Sequence, residues 1–166
     1  MEYKIRFYPY KGEKIPPDFK YDQNSEDMIN FLNKSAKKCV RELISKIFII
    51  KSDESDFLGY IAISLRSIEK DKLSSEKQRA LYARPAIVIG QLIIDKKYQG
   101  RGYGKAAVNF VIAIAKFLKV YLPCRLLVVD AINEKAKTFY EKLGFRAIPD
   151  NPLTLVLDLL PLFKTI

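Results

Sequence analysis

Alternation of Tyr3, Ile5 and Phe7 predicts an opening strand from Tyr3 to Tyr10, and Pro16-Pro17 ends any regular structure there. From Ser25 onward Met28, Leu32, Ala36, Cys39 and Leu43 recur at helical spacing, while Lys34, Lys37, Lys38 and Arg41 fall on the opposite side. That pattern predicts a helix with one core face and one cationic face. Ile44 to Lys51 and Phe57 to Ile68 are rich in branched and aromatic residues and flank the polar turn Ser52-Asp53-Glu54-Ser55-Asp56, as an antiparallel hairpin would. Glu69 to Leu81 is charged and helix-permissive, with Pro85 marking its end. Ala86 to Ile94 is apolar on both faces apart from Gln91, the signature of a central, buried strand.

After Gly104 a helix is expected to about Val120, apolar nearly all round, and Cys124 to Val129 reads as another buried strand. Asn133 to Leu143 reads as a short helix with Asn133 as N-cap and Gly144 as its left-handed stop. Phe145 to Ile148 and Leu153 to Leu160 close the chain as strands around the turn Pro149-Asp150-Asn151-Pro152. The sum is a mixed α+β protein whose second half runs strand, loop, helix, strand, helix, strand. With no internal repeat and no linker, residues 1–166 are expected to form a single domain.

Composition narrows the chemistry. The 166 residues are 49% hydrophobic and 29% charged, an ordinary globular balance. There is no histidine, which excludes Ser-His-Asp, Cys-His and His-ligated metal mechanisms. Cys39 and Cys124 are too few and too far apart for a zinc or CxxC site, so no metal is expected and both thiols read as buried small hydrophobes in a reducing compartment. The apolar stretch Val108 to Ala115 is far short of the roughly 20 residues that cross a bilayer, and the opening residues lack the run of a secretory signal. A cytoplasmic protein with no membrane association is the expectation.

Net charge is +10, and it is uneven: Arg84, Lys96, Lys97, Arg101, Lys105, Lys116, Lys119 and Arg125 stand against Asp95 alone. That stretch expects an anion. At its centre lies Tyr98-Gln99-Gly100-Arg101-Gly102-Tyr103-Gly104-Lys105, after a strand and opening a helix. Three alternate glycines let the backbone turn sharply and present free N–H groups at the positive end of a helix, a phosphate cradle. A Walker loop fails here, because Gln99 stands where its first glycine belongs and Ala106 follows Lys105. A dinucleotide fingerprint fails too, because Lys105 stands at its third glycine.

Gln99, Gly102 and Gly104 fit Gln-x-x-Gly-x-Gly, the pyrophosphate loop of the GNAT N-acetyltransferase superfamily, which this chain resembles. The Leu92-x-Ile94 strand end before the loop, and Asn133, Ala136 and Phe139-Tyr140-Glu141-Lys142-Leu143-Gly144-Phe145 after it, extend the similarity over about 60 residues. The resemblance implies a GNAT fold, a mostly antiparallel mixed sheet of about six to seven strands flanked by about four helices. It implies acetyl-CoA as cofactor, held by Leu92, Ile93, Ile94, Gln99, Gly100, Arg101, Gly102, Tyr103, Gly104, Lys105, Asn133, Phe139 and Lys142. For Asn133 a plain helix cap stands beside the coenzyme contact, and for Phe139 plain packing does. The resemblance also implies direct attack by an amine on the thioester, with a backbone N–H near Ile94 meeting the oxyanion and Tyr140 giving a proton to the departing thiolate. Asp95 and Asp130, at strand ends, are candidate general bases and equally candidate loop caps.

A narrower resemblance concerns the acceptor. Tyr21 to Leu32, Gly59 to Ser64 with Ser67-Ile68, Gly90 to Gln99, and Pro149 to Leu153 are similar to the toxin-type GNAT proteins that acetylate aminoacyl-tRNA. Gln23 and Asn24 replace the Cys and Gly of that pattern, and Gln91 stands where such proteins often carry Arg. This implies the α-amine of aminoacyl-tRNA as acceptor, tRNA and an antitoxin protein as partners, and a homodimer or monomer. Its lowered α-amine pKa suits a site without a strong base, and the cationic stripe suits tRNA phosphates. Protein N-termini, lysines or small-molecule amines remain as other acceptors, and a non-catalytic CoA- or RNA-binding module as another class. A strongly basic protein is a poor host for polyamines.

Overall fold

The computed structural model describes residues 4–69, 75–149 and 151–163 and resolves into two compact units. One takes its residues from 1–64 and 90–109, the other from 65–89 and 110–166. The strand order is β1-β2-β3-β4-β5-β7-β6, a seven-stranded sheet. Among the described residues no helix is long and apolar enough to cross a membrane.

In the first unit β1 (Arg6–Pro9) pairs antiparallel with β2 (Lys46–Lys51), from Arg6↔Lys51 to Pro9↔Phe48. β2 pairs antiparallel with β3 (Gly59–Ser67) from Lys46↔Ile63 to Ile50↔Gly59, the hairpin that the sequence predicts. The cationic helix forms in three pieces: α1 (Glu26–Asn30), a π-helical turn (Phe31–Ser35) and α2 (Ala36–Arg41). Leu32 and Ala36 point into a core with Ile47, Ile49, Tyr60, Ala62 and Ile93, and Lys34, Lys37, Lys38 and Arg41 are exposed. Tyr60 carries its hydroxyl into that core and donates to the Met28 carbonyl at 2.6 Å, which removes the cost of burying it.

Leu43 departs from the expected periodicity. Its backbone turns left-handed (φ 57°) beyond the helix end, the Ile44 amide bonds back to the Cys39 carbonyl, and the side chain is 92% exposed. Ile29 is buried with Leu32 and Ala36 at i, i+3, i+7 spacing, and Met28 packs half-buried against the same cluster.

β4 (Pro85–Ile94) starts in the second unit, where it runs parallel to β5 (Leu126–Asp130) from Ala86↔Leu126 to Ile89↔Val129, and its residues from Gly90 on belong to the first. β7 (Asn151–Asp158) pairs antiparallel with β5 and with β6 (Arg146–Ile148). Leu126, Leu127, Val128 and Val129 are all buried, as expected of a strand covered on both faces; each contributes roughly 1.5–3 kcal/mol by leaving water. α3 (Glu76–Tyr82), capped by Ser75, is what the structure describes of the helix expected from Glu69 to Leu81; residues 70–74 lie outside the description, as does Asp150 of the expected turn.

α4 (Tyr103–Leu118) and α5 (Glu134–Lys142) occur where periodicity and capping place them. The burial of α4 is less even than its composition suggests: Ala107, Val108, Val111 and Ala115 are buried, while Phe117 is 68% exposed. A final helical turn, α6 (Leu160–Phe163), lies where the closing strand was expected to end. Cys39 and Cys124 are half-buried free thiols, so neither is the fully buried hydrophobe expected.

Candidate coenzyme site

β4 outlasts its register with β5, which ends at Ile89↔Val129, and runs on through Leu92 and the buried Ile93 and Ile94. The start of β3 presses against this end. A Cβ on Gly59 would lie 1.9 Å from the Ile93 carbonyl oxygen, so no larger residue fits, and the Asp95 amide donates to the Leu58 carbonyl at 2.8 Å.

Asp95 turns the chain. Its carboxylate is 2% exposed, accepts from the Lys97 amide at 2.9 Å and the Lys20 amide at 3.3 Å, and lies 3.4 Å from the Lys97 ammonium. It caps the 3-10 turn Lys96–Tyr98, and its lone pairs are thereby engaged. Of the two roles the sequence leaves open for Asp95, the structure supplies the cap.

Gln99 follows, and its side-chain Nε2 donates back to the Ile94 carbonyl at 2.9 Å, strapping the loop to the strand end. Gly100 and Gly102 then take positive φ, 77° and 88°, which L side chains rarely adopt, and a Cβ on either would meet nothing within 4 Å. The next backbone amide to bond inward is Ala106, donating to the Gly102 carbonyl at 3.0 Å. None of the amides from Gly100 to Lys105 donates to a backbone carbonyl among the described residues. The loop is an open row of N–H donors at the start of a 16-residue helix, the electrostatic arrangement that binds phosphate.

Its side chains divide. Lys105 is exposed, with no ion pair among the described residues. Arg101 is paired with Glu54 at 2.6 Å, and the buried Tyr103 hydroxyl donates to the other Glu54 oxygen. Burial, then the Glu54 hydrogen bond, raises the Tyr103 pKa, so this phenol stays protonated as a donor. Glu54 belongs to the turn between β2 and β3 and was not among the residues singled out from sequence. Asp53, Glu54 and Asp56 are alike in a polar turn, and nothing local marks the one that faces the loop.

In the second unit Asn133 caps α5, its Oδ1 accepting from the Ala136 amide at 2.8 Å, and Gly144 ends the helix with φ 97°. Tyr140 is 6% exposed, its ring edge-on to Phe139 at 4.9 Å and to Phe145 at 5.3 Å. Phe139 is half-buried and packs as this contact requires; Lys142 is exposed. Burial raises the Tyr140 pKa well above that of a free phenol, and its hydroxyl has no hydrogen-bond partner among the described residues. Asp130, at the end of β5, accepts from Arg66 at 2.7 Å and from the Thr154 hydroxyl at 2.7 Å and lines a pocket of about 200 Å³ with Ile148 and Asn151.

Leu92, Ile93, Ile94 and residues 99–105 thus lie together in the first unit, and Phe139, Tyr140 and Lys142 share α5, with Asn133 as its cap, in the second. The chain belongs to the acetyltransferase (GNAT) family, which matches residues 12–145. A stretch of 73 residues is 32% identical to a tRNA-acetylating toxin of Mycobacterium tuberculosis and spans 44% of this chain and 44% of that relative. Among solved structures, a tyrosine-to-phenylalanine mutant of KacT is similar over 100% of each chain, at 26% identity and TM-score 0.79. AtaT complexed with acetyl-methionyl-tRNAfMet is similar over 96% of this chain and 97% of that one, at 23% identity and TM-score 0.78. A tyrosine-to-phenylalanine mutant of the AtaT toxin, bound to the C-terminus of the antitoxin AtaR and acetyl-CoA, is similar over 98% and 99%, at 24% identity and TM-score 0.76. The two AtaT likenesses bear on the fold.

Proposed function

We propose that the protein is an acetyl-CoA-dependent N-acetyltransferase whose acceptor is the α-amine of aminoacyl-tRNA, acting in the cytoplasm as one domain over residues 1–166. The observation that carries the reading is the open row of amides in residues 100–105, with free space above Gly100 and Gly102. It fits a diphosphate: among the described residues these amides donate to no backbone carbonyl, a Cβ on Gly100 or Gly102 would meet nothing within 4 Å, and Lys105 has no ion pair. Continuity of β4 and α4 through both units, and a family match spanning residues 12–145, support a single domain.

When bound, acetyl-CoA supplies an activated thioester and a thiolate leaving group. The residues' roles follow from their surroundings. The loop amides and Lys105 hold the diphosphate, with Gln99 fixing the loop to Ile94. The end of β4, Leu92, Ile93 and Ile94, lines the arm of the coenzyme and offers a backbone N–H to the oxyanion. Tyr140 keeps its proton, because burial raises its pKa away from that of a thiol, about 8.5. It therefore stabilises the departing sulfur by donating a hydrogen bond, with the proton remaining mostly on oxygen. Asn133 and Lys142 contribute coenzyme contacts from α5, and Phe139 wedges the Tyr140 ring.

The acceptor follows from what is missing. Asp95 is taken up by Lys20 and Lys97, and Asp130 by Arg66 and Thr154, so neither is a free base. An amine that arrives unprotonated is required, and an aminoacyl ester has one. Exposed Lys34, Lys37, Lys38 and Arg41 supply a surface for tRNA phosphates, and the stretch that is 32% identical to a tRNA-acetylating toxin supports the same acceptor. An antitoxin partner is proposed by analogy with AtaT and AtaR. The test is incubation with labelled acetyl-CoA and, in parallel, charged tRNA, a protein extract and a panel of small amines. Label is expected in charged tRNA; label in protein or small amines alone would reassign the acceptor, and salt-sensitive tRNA binding without transfer would make the chain a binding module.

A further inference from the structure

We propose that Glu54 is a positioning residue for the coenzyme loop, a clasp that sets the Gly102 amide by holding the residues on both sides of it. This rests on the reading of residues 99–105 as the diphosphate site. Glu54 accepts from Arg101 at 2.6 Å through one oxygen and from the Tyr103 hydroxyl through the other. Arg101 precedes Gly102 and Tyr103 follows it, so a single carboxylate ties down both flanks of a residue whose own backbone has positive φ and no side-chain contact.

The turn that carries Glu54 is itself fixed. Ser52 is 6% exposed, its hydroxyl accepts from the Glu54 amide at 3.1 Å, and its amide donates to the Ser55 carbonyl at 3.0 Å. Asp53 is paired outward with Arg6 on β1 at 3.2 Å, leaving Glu54 directed at the loop. The Glu54 side chain is 20% exposed, and the Tyr103 ring behind it is buried, so these charge-assisted bonds work at reduced dielectric. Arg101 is thereby committed: it lies over the Tyr98 ring at 5.5 Å, paired with a carboxylate, and orients the loop, while Lys105 is left as the cation for phosphate. Phosphate binding then draws on donors already arranged, which is where preorganisation adds affinity.

The test is calorimetric titration of coenzyme A into the wild-type protein and the Glu54→Ala, Glu54→Gln and Tyr103→Phe variants, with steady-state kinetics in acetyl-CoA. Glu54→Ala is expected to weaken coenzyme A binding about tenfold and raise KM for acetyl-CoA in parallel, with kcat at saturation held within about twofold. Glu54→Gln keeps one accepting oxygen and loses the charge, so it should restore only part of the affinity, to about the level of Tyr103→Phe. If Glu54→Ala does not fold, Tyr103→Phe carries the test: it removes one arm of the clasp and should weaken binding severalfold. Binding by Glu54→Ala as tight as wild type or tighter overturns the clasp, as does a lowered melting temperature with unchanged affinity. A wild-type protein that does not bind coenzyme A overturns the cofactor reading itself, a result distinct from wild-type binding that the variants leave intact.

Discussion

On the function proposed above, residues 99–105 and residues 133–145 carry their chemistry in opposite ways. In the first, the working groups are backbone amides under open space, held from behind by Gln99 and Glu54. In the second, the working group is one hydroxyl on a buried aromatic ring wedged by Phe139 and Phe145. A site made of backbone is damaged by adding atoms, and a site made of a side chain by removing them. The two regions should therefore respond to opposite kinds of substitution and fail in different kinetic constants.

The largest expected effect comes from Gly102→Asp, which places a side chain and a negative charge in the cradle. Coenzyme A binding should fall by about two orders of magnitude or more, read by calorimetry. The fold should survive, since the new Cβ meets nothing within 4 Å and only the φ of +88° is strained, at a cost of about 1–2 kcal/mol. Tyr140→Phe is the converse. It removes one oxygen, should lower kcat about a hundredfold, and should leave coenzyme A affinity within about twofold. If both variants lost affinity and turnover alike, the distinction between the two regions would be wrong.

Smaller effects sharpen the picture. Asn133→Ala removes the cap of α5, and thermal melting should show a loss of about 1 kcal/mol. If acetyl-CoA affinity also falls, Asn133 touches the coenzyme as well as its own helix. The smallest effect is in pH. Tyr140 and Tyr60 both have pKa values raised by burial in the folded protein, so their stabilisation is fully present below the unfolded tyrosine value of about 10. It is lost as pH rises through that value toward the folded ones. Melting temperature should be flat in this respect to about pH 10 and fall above it, and Tyr60→Phe should flatten part of the fall.

The hairpin, the central strands and the capped helix α5 were legible because their signals are local: alternation, branched runs, Asn133 before the helix and Gly144 after it. The loop was legible because its glycines carry their own backbone preference. What escaped depends on partners distant in sequence. Glu54 is 47 residues from Arg101, and its turn looks like any solvated turn. For Asp95 the sequence left base and cap both open; the cap on the Lys97 amide is local, and the second donor, the Lys20 amide, lies 75 residues away. Leu43 satisfies a helical period that the chain abandons two residues earlier, and the extra residue of the π turn leaves no mark in the hydrophobic pattern.

The bond between Gln99 and the Ile94 carbonyl makes the loop a fixed ruler instead of a free tether. With the proposed diphosphate cradle tied to the end of β4, the stretch of chain between anchor and strand end would measure the donor's length. Acyl donors of full span would be seated with the thioester in register, whereas short thioesters lacking the nucleotide would reach the same groove unanchored and turn over poorly however reactive they are.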